Sequence, residues 1–80
     1  MKIKYRPRAI KQIKKLPVKV QKNVIKKIEL ISTSPYLGKK LEGELSGFRV
    51  VRAWPYRIIY QILKNSILIF SVSHRQSAYR

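Results

Sequence analysis

The chain has 80 residues, 45% of them apolar, and nineteen lysines and arginines against three acidic residues give it a net charge of +16. A chain of this length forms one small domain around a single core, and its apolar content excludes an intrinsically disordered protein. It has no cysteine, which excludes disulfides and thiolate metal sites and suits a reducing compartment. We therefore predict a single domain over residues 1–80.

The excess of positive charge predicts a polyanionic partner. Nucleic acid is the first candidate, because lysine and arginine release counterions when they neutralise phosphates. An anionic membrane surface and an acidic protein are the alternatives. Residues 1–7 lack the apolar segment of a signal peptide, and the longest apolar run, residues 67–72, is too short to span a bilayer. We expect a cytoplasmic protein with no membrane partner.

The first half of the chain predicts one strand and two helices. Residues 2–5 alternate polar and apolar side chains, as a short strand does. Pro7 suits the first turn of a helix, and apolar residues at helical spacing predict a helix over residues 7–16. Pro17 then opens a second helix, whose apolar stripe continues to residues 32–34.

The second half predicts a loop and three strands. Residues 33–47 hold all three glycines and are predicted to form a loop. The runs 48–53, 56–63 and 67–73 are β-like, and a short connection joins the last two as a hairpin. The third run is apolar at nearly every position, which is typical of a central strand covered on both faces.

The predicted fold is α+β, in the order β-α-α-β-β-β. We expect a small antiparallel sheet with the αα-hairpin packed on one face. The other face would be partly open and would carry the basic residues of the strands. A polar tail, residues 74–80, follows the last strand.

The segment 47–60 places arginines on two adjacent strands around a Trp-Pro turn. Closure of the turn between Ala53 and Tyr56 sets the register of these strands. In that register Arg52 lies directly opposite Arg57 on one face. Like charges in this position repel each other, so a bound anion would account for the arrangement. The alternative is that both side chains extend into water over apolar neighbours.

The tail adds an imidazole, two guanidinium groups and a phenol directly after the central strand. Arg75 can bind phosphate through paired donors, and His74 can act as an acid or base near neutral pH. Tyr79 can stack on a base or transfer a proton. The alternatives are solvated side chains for His74 and Arg75 and a packing role for Tyr79.

These groups would suffice for RNA cleavage, because RNA supplies its own nucleophile, the 2′-hydroxyl. Arg52, Arg57 and Arg75 would bind the phosphate and stabilise the charge of an in-line displacement. Trp54 or Tyr56 would stack on an unpaired base. One histidine offers no metal site unaided, so we predict neither a metal nor another cofactor.

Five parts of the chain form a recognisable pattern: Leu41-Glu42-Gly43-Glu44-Leu45-Ser46-Gly47-Phe48, Arg49 with Arg52, Tyr56-Arg57-Ile58-Ile59-Tyr60, His74-Arg75 and Tyr79-Arg80. This pattern resembles the RelE/ParE toxins of bacterial and archaeal toxin–antitoxin pairs. The resemblance covers nearly the whole chain and implies the RelE-like microbial RNase fold.

For the RelE branch, which we favour, the resemblance implies a toxin that enters the ribosomal A site and cleaves the bound mRNA. Attack by the 2′-hydroxyl would need no metal, and the partners would be the cognate antitoxin, the ribosome and mRNA. The residues expected to act in catalysis are Arg52, Arg57, Arg75, Tyr79 and His74. Those expected to contact RNA are Arg49, Trp54, Tyr56 and Arg80. Strand alternation places Arg49 and Arg52 on opposite faces unless a bulge intervenes.

Two other functions fit the same residues. The ParE branch implies an inhibitor of DNA gyrase without nuclease activity, in which the arginines form only a contact surface. A basic RNA-binding module without catalysis is the third alternative.

Overall fold

The order of elements predicted from the sequence is present, with one strand added. The computed structural model describes residues 1–75. Their helices and strands are β1 Lys2–Tyr5, α1 Pro7–Lys14, α2 Val18–Thr33, β2 Lys39–Lys40, β3 Arg49–Ala53, β4 Tyr56–Ile62 and β5 Ser66–His74. Two short 3-10 turns, Pro35–Leu37 and Gly43–Leu45, flank β2. Within residues 1–75, no helix has the length and apolar character needed to cross a membrane.

The sheet is mixed rather than antiparallel throughout. Its strand order over the described residues is β1-β5-β4-β3-β2, and β1 runs parallel to β5, whereas the other neighbours are antiparallel. The prediction of a wholly antiparallel sheet was therefore wrong for β1. It omitted β2, and one additional reversal of the chain changes the relative direction of the first and last strands.

α1 begins and ends in ways that its sequence explains. Pro7 occupies its first turn, where the missing N–H costs no hydrogen bond. The helix ends two residues earlier than predicted, at Lys14. Leu16 N–H instead bonds to the Ile13 carbonyl three residues back, at 3.0 Å. The Gln21 side-chain amide on α2 donates to the same Ile13 carbonyl at 3.0 Å, which ties the two helices together.

The two helices cover one face of the sheet, as predicted. The side chains buried between them and the sheet form one cluster: Ala9, Val24, Ile28, Ile31, Val51, Ala53, Ile58, Tyr60, Ile67, Ile69 and Val72. Because neighbouring residues of a strand point to opposite faces, Val50 and Arg52 lie on the face away from the helices. We call this second face the open face.

Aromatic side chains cover part of the structure outside that core. The rings of Phe48 and Phe70 meet edge to face at 4.9 Å between centroids, and the Arg6 guanidinium lies 4.4 Å from the Phe70 centroid. On the open face, Ile59 pairs with Ser71, and both are buried. This agrees with the prediction that the apolar last strand needs cover on both faces.

Candidate functional site

The hairpin of β3 and β4 places two arginines side by side on the open face. Arg52 is directly opposite Arg57, in the predicted register, and Ala53 pairs with Tyr56 at the turn. On its other side Arg57 pairs with Ser73 of β5. Residues opposite each other in a ladder share a face, so Arg52, Arg57 and Ser73 form one row across three strands.

The two arginines differ in their exposure to solvent. Arg52 is exposed, whereas Arg57, in the middle strand of the row, is half-buried. Two guanidinium groups on adjacent strands raise the local positive potential and favour a bound anion. Their planar, paired donors match the oxygens of a phosphate.

Arg75 lies against the turn that joins β3 and β4. Its backbone N–H donates to the Pro55 carbonyl at 2.8 Å. Its guanidinium carbon lies 4.9 Å from the centroid of the Trp54 ring, and Trp54 is 62% exposed. The end of β5 is thereby attached to the turn that follows Arg52.

His74 and Tyr56 form a separate pair. They are opposite each other on β5 and β4, and their rings meet edge to face at 5.4 Å. Tyr56 packs against the core beneath the helices. The pair therefore belongs to the helix-covered face, and the structure does not bring it into the arginine row.

Arg49 also lies apart from the arginine row. Regular pairing along β3 keeps it on the face opposite Arg52, as strand alternation predicts. Its Nη1 donates to the Gly38 carbonyl at 2.8 Å, and its guanidinium lies 4.9 Å from the Tyr36 ring centroid. Arg49 thus holds the segment 35–38 against the sheet.

Tyr60 also holds the segment 35–38, through two hydrogen bonds of its hydroxyl. Its hydroxyl donates to the Pro35 carbonyl at 2.6 Å and accepts from the Gly38 N–H at 2.9 Å. Burial raises the pKa of Tyr60, and the Gly38 hydrogen bond and the charge of Arg49 oppose this rise. Tyr79 and Arg80, the other predicted site residues, lie outside the described residues 1–75.

A basic cleft that the sequence analysis missed borders Arg52 at the edge of the sheet. It encloses about 680 Å³ and has Lys27, Lys39, Lys40 and Glu42 in its wall. The adjacent lysines 39 and 40 were the available signal, but a predicted loop gave no reason to place them beside Lys27 of α2. The cleft extends the positive surface beyond the arginine row.

Comparison with known families identifies the chain. Residues 3–79 match the family model of the ParE toxin of type II toxin–antitoxin systems, parDE. The chain belongs to this toxin family. The predicted membership of the RelE/ParE superfamily is therefore confirmed. No curated protein matches the toxin at a significant level of sequence similarity.

Solved structures share the toxin's fold. The RelBE2 toxin–antitoxin complex of Mycobacterium tuberculosis contains a chain with 28% identity and a TM-score of 0.83, over 92% of this toxin and 96% of that chain. The isolated E. coli RelE toxin has 26% identity and a TM-score of 0.80, over 91% and 82%. The ParDE system of P. aeruginosa, at 14% identity, a TM-score of 0.76 and coverage of 92% and 95%, shows the fold alone.

Proposed function

We propose that this toxin is a ribosome-dependent endoribonuclease that cleaves mRNA in the ribosomal A site. The observation that carries the proposal is the pairing of Arg52 with Arg57 on the open face. Arg75 lies at the adjoining turn and completes a set of three guanidinium groups. The resemblance to RelE toxins supplies the reaction class.

The chemistry requires little from the protein besides positioning and charge. The 2′-oxygen attacks the adjacent phosphorus, a bond between them forms, and the bond from phosphorus to the 5′-oxygen breaks. The products are a 2′,3′-cyclic phosphate and a 5′-hydroxyl. Negative charge grows on the phosphoryl oxygens in the transition state, and the paired donors of arginine are suited to stabilise it.

Two proton transfers accompany this displacement. The attacking hydroxyl loses a proton and the leaving 5′-oxygen gains one. Tyr79 stays a predicted group for one of these steps. His74 stays a prediction from the sequence, but its ring lies against Tyr56 on the helix-covered face and not in the arginine row. We leave Arg49 out of the site, because its guanidinium is engaged with Gly38 and Tyr36 on the other face.

We also propose a cognate antitoxin as a partner. The structures from M. tuberculosis and from Methanococcus jannaschii, the latter 25% identical, are complexes of a toxin with its antitoxin. A net charge of +16 favours an acidic binding segment in that antitoxin. The proposed action on translating ribosomes would place the toxin in the cytoplasm.

Primer extension on mRNA from a translation extract tests the nuclease proposal. The wild-type toxin should produce new 5′ ends within translated codons. The Arg57→Ala variant should cleave on the order of 10²-fold more slowly, the usual cost of losing one donor to a developing anion. Lys64→Ala is the matched control, because Lys64 follows β4 at the opposite end of the sheet from the β3–β4 turn. Absence of cleavage by the wild-type toxin would refute the proposal.

A ParE-like inhibitor of DNA gyrase is the second candidate, and the match to the ParE family model favours it. In a supercoiling assay, inhibition of gyrase without mRNA cleavage would replace the nuclease proposal with this one. RNA binding with neither cleavage nor gyrase inhibition would identify a binding module.

A further inference from the structure

We infer that Trp54 is a positioning residue that holds Arg75 beside the Arg52–Arg57 pair for binding of an RNA phosphate. The inference rests on the proposed function for its ligand. It differs from the sequence-based expectation for Trp54, which was direct stacking on an unpaired base. The two roles predict different dependences of RNA binding on salt.

The contacts of Arg75 define the argument. Its backbone is attached to the turn by the hydrogen bond to the Pro55 carbonyl, at 2.8 Å. Its long side chain then rests on the indole of Trp54, with 4.9 Å between the guanidinium carbon and the ring centroid. Tryptophan is the most effective aromatic partner for a cation, so this contact restricts a flexible group.

The position of this stack connects it with the arginine row. Trp54 follows Ala53, the residue after Arg52, and Arg75 is two residues beyond Ser73, the neighbour of Arg57. A guanidinium held there lies next to the row, on the side of the β3–β4 turn. Because Arg75 is exposed, its donors can face a phosphate while its flat surface rests on the ring.

A second arginine–aromatic pair provides an internal comparison. Arg49 lies over Tyr36 at the same distance of 4.9 Å, and Tyr36 is even more exposed, at 72%. Arg49, however, also donates to the Gly38 carbonyl and lies on the other face of β3. Removal of the Tyr36 ring therefore tests loss of an exposed aromatic stack away from the arginine row.

Salt dependence separates positioning from base stacking. For single-stranded nucleic acid, each phosphate neutralised by a cation contributes about 0.7 to the slope of log affinity against log salt concentration. A base stacked on an aromatic ring contributes affinity without releasing counterions. If Trp54 positions Arg75, Trp54→Leu should make the fall of affinity with salt less steep, although the substitution removes no charge.

The experiment measures binding of the full-length toxin to a fluorescein-labelled 2′-O-methyl RNA oligonucleotide, which lacks the attacking hydroxyl. Anisotropy titrations over a range of NaCl concentrations give the slope for each variant. Arg75→Ala should reduce the magnitude of the negative slope by about 0.7. Trp54→Leu should also reduce this magnitude, and the double variant should have the same slope as Arg75→Ala alone. Trp54→Phe, which keeps a ring, should restore most of the wild-type slope.

The controls are Tyr36→Leu and Lys64→Ala, which should leave the slope close to the wild-type value. A Trp54→Leu variant with weakened binding but an unchanged slope would overturn the inference and favour direct base stacking. Additive effects of Trp54→Leu and Arg75→Ala would overturn it as well. Urea unfolding of each variant shows whether a change comes from loss of the fold.

Fluorescence tests the contact without RNA. Trp54 is the only tryptophan of the chain, so the intrinsic emission comes from this ring alone. Arg75→Ala should change its emission maximum and intensity, whereas Lys64→Ala should not. Unchanged emission in Arg75→Ala would contradict the contact itself. Both measurements remain readable if the toxin cleaves no mRNA, so failure of the nuclease proposal and failure of this inference are distinguishable.

Discussion

At the scale of single residues, the hydroxyl of Tyr60 serves two backbone groups at once. Tyr60 is fully buried, and its hydroxyl bonds to the Pro35 carbonyl and the Gly38 N–H. Tyr60→Phe leaves both backbone groups without this partner. We expect the free energy of unfolding to fall by about 1–3 kcal/mol, the usual cost of unsatisfied buried groups. Urea unfolding at neutral pH measures this difference.

The same variant has a defined dependence on pH. Burial raises the pKa of Tyr60 in the folded toxin above its ordinary value of 10.0. Between these two pKa values the unfolded phenol has ionised and the folded one has not, so the folded state binds more protons and loses stability as pH rises. The stability difference between wild type and Tyr60→Phe should be complete below pH 10.0 and should shrink above it. A constant difference across this range would contradict the assignment.

Gly38 packs too closely against Tyr60 to accept a side chain. A Cβ at this position would lie 2.6 Å from the Tyr60 hydroxyl oxygen and 2.9 Å from the Val50 carbonyl oxygen. Because the second contact is with backbone, Gly38→Ala should destabilise the toxin by about 1–3 kcal/mol. Tyr60→Phe should relieve the clash only in part, since the Val50 contact remains. Equal stability of Gly38→Ala and wild type in urea would refute this packing.

Contacts between residues close in sequence could be predicted, whereas contacts between distant residues could not. The pairing of Arg52 with Arg57 depends on a short turn, so spacing along the chain was enough to predict it. The contact of Arg75 with Trp54 joins residues far apart in sequence, and no local pattern indicates it. The hydrogen bond from Arg49 to Gly38 was missed for the same reason.

At the scale of elements, periodicity predicted the helices and the long strands but not β2. β2 consists of two exposed lysines, Lys39–Lys40, so it has no apolar alternation for a sequence pattern to detect. These two residues form a strand only because they pair with β3. The parallel direction of β1 depended on counting this strand and was missed with it.

β5 contains a bulge, and a strand residue beyond it is hydrogen-bonded to helix α1. Ile59 pairs with Ser71 and Tyr60 with Ile69, so Phe70 has no partner on β4. Beyond the bulge, the N–H of Val72 donates to the side-chain oxygen of Gln12 on α1, at 2.7 Å. α1 therefore contributes a hydrogen bond to the sheet as well as apolar cover.

Substitution of Gln12 should reveal this contribution. Gln12→Met keeps the length of the side chain but removes the acceptor, and should lower the free energy of unfolding by about 1–3 kcal/mol. Gln12→Glu keeps an acceptor and is the matched control. Hydrogen exchange at the Val72 amide should accelerate in Gln12→Met and remain slow in Gln12→Glu. Equal protection in both variants would argue against the bond.

At the scale of the whole molecule, charge and size together determine the response to salt. The described residues extend over 31 × 26 × 21 Å, and the chain carries a net charge of +16. The Debye length is about 30 Å at 0.01 M salt and about 10 Å at 0.1 M. At the lower concentration, repulsion therefore acts across the entire molecule, whereas at the higher one it is confined to near neighbours.

This repulsion predicts opposite effects of salt on stability and on RNA binding. Between about 0.01 and 0.1 M NaCl the free energy of unfolding should rise, because salt screens the repulsion between the positive charges that folding brings together. Over the same range the affinity for RNA should fall, because counterion release contributes less. Urea unfolding and oligonucleotide anisotropy on one protein preparation measure both. If stability fell together with affinity, self-repulsion would not be what limits the folded state, and the lysines would have to make stabilising contacts that salt weakens.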